Sequence, residues 1–292
     1  MKSVVLSERL QAVASMVTPG SRVCDVGCDH GFVSIYLIEQ KVSPYVLAMD
    51  VRLGPLGAAA RHVSERGLDA FIGTRLSDGL HNYEAGEADS LICAGMGGRL
   101  MMRILGEDKT KTDSFQELIL QPQSELEQFR AWLWEQGYRI TDEKMVEEDG
   151  KFYSMMRVTP DKERPCGALY PEELFTGSGL PEHMDTPRAA ADAGGVRTAE
   201  AIGIDRAGLH KLAYRYGAYL LLRGDDTLRK YLRREERIYG EILERLRTEG
   251  LSGSVREERY LEIETLLRDC RTAQGIVECQ RLAFHGPAGS VH

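Results

Sequence analysis

The segment from Arg22 to Gly31 (Arg-Val-Cys-Asp-Val-Gly-Cys-Asp-His-Gly) places a short apolar strand directly before a loop bracketed by glycines. The apolar run that begins at Phe32 then predicts a helix. A glycine loop between a strand and a helix lets a ligand approach the backbone, and the helix N-terminus offers free N–H groups. We therefore expect a cofactor to bind at this loop.

The side chains of this loop are acidic rather than basic. It carries Asp25, Asp29 and His30, and no Lys or Arg lies between residues 23 and 31. The carboxylate of Asp29 would repel a pyrophosphate, and the loop lacks the Gly-x-Gly-x-x-Gly spacing of dinucleotide sites. The loop is better suited to a cofactor with a ribose, a base and a positively charged sulfonium.

Downstream of this loop, predicted strands and helices alternate along the chain. Five strand–helix repeats predict an α/β fold, a Rossmann-like parallel sheet with right-handed crossovers. Glu148-Asp149-Gly150-Lys151 predicts a hairpin that adds an antiparallel edge. Ser124 and Glu127 predict a capping box for a helix over 125–136. After the first strand, the predicted strands are 45–49, 70–76, 90–94, 117–120, 138–147 and 152–158.

Acidic residues also follow the second and third predicted strands, at Asp50 and Asp78. A carboxylate about 20 residues after a glycine loop can accept both hydroxyls of a ribose. Asp78 could accept a hydrogen bond from an adenine amino group. Ligands of such sheets bind at the carboxyl ends of the strands, near the switch point. We expect both residues to belong to the same site as Asp25.

Composition excludes several classes of protein. No apolar run reaches the length of a membrane span, and the N-terminus does not resemble a signal peptide, so we expect a cytoplasmic protein without membrane contact. The six cysteines contain no Cys-x-x-Cys pair, which favours reduced thiols and predicts no metal site. The net charge is −8, but a basic excess lies in residues 206–285.

The C-terminal half has a different organisation from the predicted sheet domain, 1–159. Residues 160–207 are rich in proline and predict a linker or insertion. Residues 208–283 show apolar positions at spacings of three and four on either side of a glycine-containing break, which predicts a helical coiled-coil hairpin. Residues 284–292 are expected to be a disordered tail.

Several of these motifs together resemble the bacterial tRNA (adenine-22-N1)-methyltransferase family, TrmK. The resemblance implies a class I methyltransferase domain that uses S-adenosyl-L-methionine as cofactor and methylates N1 of an adenine in tRNA, with the coiled coil helping to hold the RNA. It covers residues 1–158 and about 208–280. The motifs that carry it are Asp25-Val26-Gly27-Cys28-Asp29-His30-Gly31, Asp50, Ser77-Asp78-Gly79-Leu80, Ala94-Gly95-Met96-Gly97-Gly98 and Leu120-Gln121-Pro122.

The resemblance also implies roles for individual residues. Asp29 is the catalytic candidate, because methylation makes the adenine ring cationic and a carboxylate can stabilise that charge or take an N6 proton. Gln123 stands where the family more usually has asparagine. The implied cofactor-binding residues are Asp25, Gly27, Asp50, Asp78, Gly79, Gly95 and Met96. The implied substrate-binding residues are His30, Gln121, Pro122, Gln123, Arg233 and Arg234.

Two other functions are compatible with the sequence. One is a methyltransferase of a non-RNA substrate, in which the coiled coil serves as a dimerisation device. The other is a non-enzymatic interaction module that binds the cofactor. The sequence leaves open the identity of the tRNA, the choice between base and electrostatic stabiliser for Asp29, and the oligomeric state, for which a monomer is favoured.

Overall fold

The computed structural model describes residues 3–160, 204–248 and 254–285 of the 292-residue chain. The chain divides into two compact units, Met1–Ala168 and Leu169–His292. The first unit contains α1 (Glu8–Ala14), β1 (Val23–Val26), α2 (Phe32–Glu39), β2 (Val46–Asp50), α3 (Leu53–Glu65), β3 (Ile72–Leu76), β4 (Ser90–Met96), α4 (Gly98–Glu107), α5 (Lys109–Thr112), β5 (Glu117–Pro122), α6 (Leu126–Glu135), β6 (Tyr138–Glu148) and β7 (Lys151–Pro160).

These strands form one sheet in the order β3-β2-β1-β4-β5-β7-β6. The five strands from β3 to β5 are parallel, while β7 pairs antiparallel with both β5 and β6. The predicted Rossmann-like sheet with an antiparallel terminal hairpin is therefore confirmed. The strand order reverses between β1 and β4, so the loops after these two strands diverge and leave a crevice between them.

Strands β1, β2 and β5 are buried along their whole length, which is why they read as apolar runs rather than as alternating patterns. One local prediction was wrong. The N-cap of α6 is Glu125, with φ of +51°, and it makes no capping side-chain hydrogen bond. Ser124 does not form the predicted capping box, because its hydroxyl instead accepts from the Gly98 amide at 3.3 Å and donates to the Glu125 carboxylate.

The segment that follows α1 is tied to the sheet by a buried carboxylate. Glu117, at the start of β5, accepts hydrogen bonds from the amide and the hydroxyl of Thr18, both at 2.8 Å, and from the hydroxyl of Ser90 at 2.7 Å. Arg157 of β7 lies 3.6 Å away and supplies an opposite charge. This network holds the N-terminal segment beside β5 and β7, and thereby positions α1.

The second unit contains a helical hairpin, as predicted. Its two long helices are antiparallel, because a later residue of the first helix contacts an earlier residue of the second. Arg271 donates to Glu236 at 2.9 Å, and Arg247 donates to Tyr260 at 2.7 Å. Leu243, Ile263 and Leu267 form a buried apolar cluster between them. The described elements of this unit are α7 (Arg206–Tyr216), α8 (Ala218–Arg223), α9 (Asp226–Thr248) and α10 (Ser254–His285).

The predicted boundaries at residues 159, 207 and 283 stay predictions. Residues 161–203 and 286–292, which hold most of the predicted linker and tail, lie outside the described residues. Within the described ranges, none of the helices combines the length and the apolar content needed to cross a membrane.

Candidate active site

A cavity of about 510 Å³ opens at the carboxyl ends of β1, β2, β3 and β4. Its volume lies within the range of small-molecule sites, about 300–1,000 Å³. The structure brings most of the residues proposed from the sequence to this one cavity. Those that line it are Asp25, Gly27, Asp29, His30, Asp50, Asp78, Gly79, Gly95, Met96 and Gln123.

Glycine at position 27 allows the loop after β1 to make a close approach. Gly27 has φ of +74°, and its amide and that of Cys28 both donate to the carbonyl of Met49, at 2.8 and 2.9 Å. A Cβ atom at Gly27 would lie 2.1 Å from Cε of Met96. The left-handed backbone and this contact together favour glycine, and they leave the loop backbone bare on the side of the cavity.

Asp25 is buried in β1, with only 4% of its surface exposed. Burial raises the pKa of its carboxyl group to about 6, and the nearby charge of Asp50 adds to the rise. The hydroxyl of Ser34 donates to Asp25 Oδ2 at 2.7 Å, which favours the ionised form and offsets part of this effect. Burial disfavours the ionised form of this carboxylate, and a positively charged ligand in the cavity would favour it. Asp25 is therefore suited to bind such a ligand.

The Asp50 carboxylate is buried and fixed in orientation by backbone amides. Oδ1 accepts from the amide of Arg52 at 2.8 Å, and Oδ2 accepts from the amide of Asp29 at 3.2 Å. The second bond connects the end of β2 to the loop after β1. Because the carboxylate is held on both oxygens, it presents its remaining lone pairs to the cavity with little freedom to rotate.

Asp78 is more exposed and forms a paired charge at the end of β3. Arg103 of α4 donates to both of its oxygens, at 2.8 and 3.3 Å, and this hydrogen bonding lowers the pKa of the Asp78 carboxyl group. Gly79, with φ of +53°, follows it against the side chain of Ile104. Arg103 could not be identified as a partner from the sequence, since 25 residues separate it from Asp78 and only the fold brings them together.

Asp29 has left-handed backbone geometry, with φ of +51°, and its side chain is 60% exposed. Its carboxylate lies 3.6 Å from the guanidinium of Arg52 and 3.8 Å from Nε2 of His30. Beside it, Phe32 stacks on His62 with ring centroids 5.1 Å apart. Asp29 is thus an accessible carboxylate at the rim, unlike the buried Asp25.

A bulge shapes the opposite wall of the cavity. The pairing of β4 with β5 shifts between Ala94 and Met96, so Gly95 protrudes from the ladder with φ of +81°. Its amide, which has lost its ladder partner, donates to Oε1 of Gln121 at 3.1 Å. Bulges of this kind re-aim the backbone beside binding sites.

Two residues proposed to bind substrate do not line the cavity. Gln121 and Pro122 are buried at the end of β5, and Oε1 of Gln121 is occupied by the Gly95 amide and by Nη1 of Arg9. Gln123 is exposed and lines the cavity. Arg9 and Arg52 line the cavity as well.

The remaining two proposed residues, Arg233 and Arg234, lie on α9 of the second unit. The side chain of Arg233 is 65% exposed, and its Nη2 lies 3.9 Å from the carboxylate of Glu278 on α10. An exposed pair at this distance contributes little to stability, so the Arg233 guanidinium retains most of its capacity to meet another anion.

A family profile described as "Methyltransferase domain" matches residues 6–156, which is more than half of the chain. The chain is 37% identical over 156 residues to the tRNA (adenine(22)-N(1))-methyltransferase of Bacillus subtilis, an alignment that covers 53% of this chain and 66% of that relative.

Solved structures with this fold include the B. subtilis m1A22 tRNA methyltransferase TrmK, which matches with a TM-score of 0.69 and 25% identity over 93% of this chain and 99% of that one. M. capricolum TrmK, solved in complex with S-adenosyl-homocysteine, matches with a TM-score of 0.67 and 21% identity over 93% and 99%. The chain therefore belongs to the methyltransferase-domain family and, within it, to the bacterial tRNA (adenine-22-N1)-methyltransferase family, TrmK.

Proposed function

We propose that this protein transfers a methyl group from S-adenosyl-L-methionine to N1 of an adenine in tRNA, at position 22 as in the related enzymes. The observation that carries the proposal is the meeting of three strand-end carboxylates, Asp25, Asp50 and Asp78, in one cavity beside the glycine loop. The relation to a tRNA (adenine(22)-N(1))-methyltransferase supports the choice of substrate.

The residues of the cavity fit this cofactor. The buried Asp25 carboxylate can offset a positive charge, and the bare backbone at Gly27 leaves room for the methionine end. Asp50, held by two amides, is placed to accept from the ribose hydroxyls. Asp78 and Gly79 would contact the adenine ring. When bound, S-adenosyl-L-methionine supplies an electrophilic methyl group on its sulfonium.

Gly95 and Met96 would contact the cofactor where it meets the target base, and Gln123 would hold that base on the opposite wall. The bulge at Gly95 opens space there, and the Gln123 side chain amide can bind an adenine edge through one donor and one acceptor. His30 lies at the rim, 6.0 Å from Phe32 between ring centroids, where an extruded base can stack. Adenine N1 is already nucleophilic, so alignment supplies much of the rate.

Asp29 is the proposed catalytic residue. Methylation at N1 makes the ring cationic, and an accessible carboxylate at the rim can stabilise the developing charge or accept the N6 proton. Two opposite unit charges 4 Å apart interact by about 1 kcal/mol in water and about 4 kcal/mol at an effective dielectric of 20. Loss of the charge should therefore slow transfer by roughly 10- to 10³-fold.

The test is methyl transfer to bulk tRNA from labelled cofactor, followed by nucleoside analysis. The expected product is 1-methyladenosine. If the protein binds the cofactor but forms no 1-methyladenosine in tRNA, the proposed substrate is ruled out. Asp29→Asn should lower kcat while leaving cofactor affinity within about twofold. Asp69→Asn, an exposed aspartate on the loop between α3 and β3, is the matched control and should behave as wild type.

We also propose that the helical hairpin contacts the RNA through Arg233 and Arg234. The double change of both arginines to glutamate should weaken tRNA binding and reduce its dependence on salt, since each phosphate contact releases counterions. Unchanged binding would favour the hairpin as a dimerisation device instead. We propose further that the protein is a monomer and that it is cytoplasmic. Light scattering of the purified chain, which measures its molar mass, tests the monomeric state.

A further inference from the structure

The charged side chains around the cavity are not paired equally. Arg52 lies within 3.7 Å of the carboxylates of both Asp29 and Asp50, and Arg103 binds Asp78. Arg9 forms no ion pair with any carboxylate of the cavity among the residues that the structure describes. It is thus the cavity arginine whose charge is not already offset by a cavity aspartate.

Several contacts fix the position of the Arg9 side chain. Its Nη1 donates to Oε1 of Gln121 at 2.8 Å, and its guanidinium lies 5.3 Å from the centroid of the Tyr153 ring. Glu148 accepts from the Arg9 backbone amide at 3.0 Å, but its carboxylate is 4.0 Å from Nε. Nη2 has no hydrogen-bond acceptor within residues 3–160, 204–248 and 254–285.

Two hydrogen-bond donors converge above the bulge at Gly95. A Cβ atom built at Gly95 would lie 3.5 Å from Nη1 of Arg9 and 3.8 Å from Nε2 of Gln123. Gln121 is buried, and its carbonyl oxygen already accepts from both Arg9 and the Gly95 amide. Gln121 therefore acts as an anchor behind the wall, and the donors that reach the cavity belong to Arg9 and Gln123.

We propose that Arg9 binds a phosphate of the nucleotide that carries the target adenine. This inference rests on the proposed function. A phosphate that enters this cavity meets the negative charges of Asp25, Asp29, Asp50 and Asp78. Within residues 3–160, 204–248 and 254–285, Arg9 is the cavity arginine that is not paired with any of these carboxylates, and its Nη2 has no acceptor. The methylated ring is itself cationic, so contact of a guanidinium with the base would oppose the reaction, whereas contact with the phosphate would not.

The test compares Arg9→Ala, Arg9→Lys and a matched control, Arg22→Ala. Arg22 also pairs with a single carboxylate, Asp89, but it directly precedes β1, at the amino end of the strand, and does not line the cavity. For each variant, KM for tRNA, binding of tRNA as a function of salt, binding of S-adenosyl-L-methionine and thermal unfolding are measured on the full chain.

We expect Arg9→Ala to raise KM for tRNA by roughly tenfold and to reduce the slope of log affinity against log salt by about one, as for loss of one phosphate contact. Arg9→Lys should restore most of the slope, and Arg22→Ala should leave it unchanged. Cofactor affinity should stay within about twofold in all three.

Two results would overturn the inference. In the first, Arg9→Ala and Arg22→Ala have the same salt slope. In the second, both Arg9 variants lose cofactor affinity and thermal stability while the slope stays at the wild-type value, which would make Arg9 a brace of the Gly95 bulge. A wild-type protein that forms no 1-methyladenosine would instead refute the proposed function, which separates the two failures.

Discussion

Replacement of Asp25 by asparagine should stabilise the protein in the absence of cofactor and weaken cofactor binding. The pKa of the Asp25 carboxyl group is about 6 in the folded state, against 3.8 for an unperturbed aspartate, chiefly because the group is buried. Between these two values the folded protein binds the proton more tightly than the unfolded chain does. The free energy of unfolding therefore falls as pH rises through this window.

The size of the effect follows from the shift. At about 1.36 kcal/mol for each pH unit, ionised Asp25 costs about 3 kcal/mol of stability above pH 6. The cost is about 1 kcal/mol at pH 4.5 and vanishes below pH 3.8. Asparagine keeps the shape of the side chain and can still accept from the Ser34 hydroxyl. The free energy of unfolding of Asp25→Asn should therefore exceed that of wild type by about 3 kcal/mol above pH 6 and by about 1 kcal/mol at pH 4.5.

Urea unfolding followed by tryptophan fluorescence measures this gain. Both tryptophans of the chain, Trp132 and Trp134, lie in α6, so the signal reports on the first unit. For a slope of about 2 kcal/mol per molar, the midpoint at pH 7.5 should rise by about 1.5 M. Ser34→Ala is the opposite control: loss of its hydrogen bond removes a contact that favours the ionised form, so it should destabilise the protein more at pH 7.5 than at pH 4.5.

Cofactor binding supplies the second half of this test. The affinity of wild type for S-adenosyl-L-methionine should fall as Asp25 becomes protonated below pH 6, whereas Asp25→Asn should bind weakly and show no such dependence. If Asp25→Asn is no more stable than wild type at pH 7.5, or if its gain is equal at pH 4.5 and 7.5, the assignment of a strained buried charge is refuted.

Three further substitutions test other parts of the first unit. Arg130→Ala should lower the free energy of unfolding by about 3–5 kcal/mol, because it leaves the Glu143 carboxylate buried without its cation; a urea midpoint equal to wild type would contradict this. Asp50→Asn should raise the Kd for S-adenosyl-L-methionine at least tenfold by calorimetry, whereas an unchanged Kd would remove Asp50 from the ribose site. Gly27→Ala should both destabilise the protein and weaken cofactor binding, because its methyl group would displace Met96 and its φ is positive; full cofactor affinity would show that the close approach is not needed.

Gln121 illustrates where sequence reasoning about the site was limited. The sequence places it at the end of a predicted strand, where a polar residue is a natural candidate for substrate binding. The bulge at Gly95 leaves an amide without a ladder partner, and the Gln121 side chain turns inward to satisfy it. A register shift between two strands depends on the packing of both, so neither strand alone predicts which way the glutamine faces.

The sequence alone determined the alternation of strands and helices along the first unit, without the short helix α5, together with the glycine loop and the acids at three strand ends. These follow from local rules, because apolar periodicity and glycine position act over a few residues. Tertiary structure decided what each acid experiences. Asp25 is buried with a raised pKa, Asp78 is paired with Arg103, and Asp29 stays exposed at the rim. Desolvation and charge pairing depend on residues far apart in the chain, which meet only once the sheet has formed.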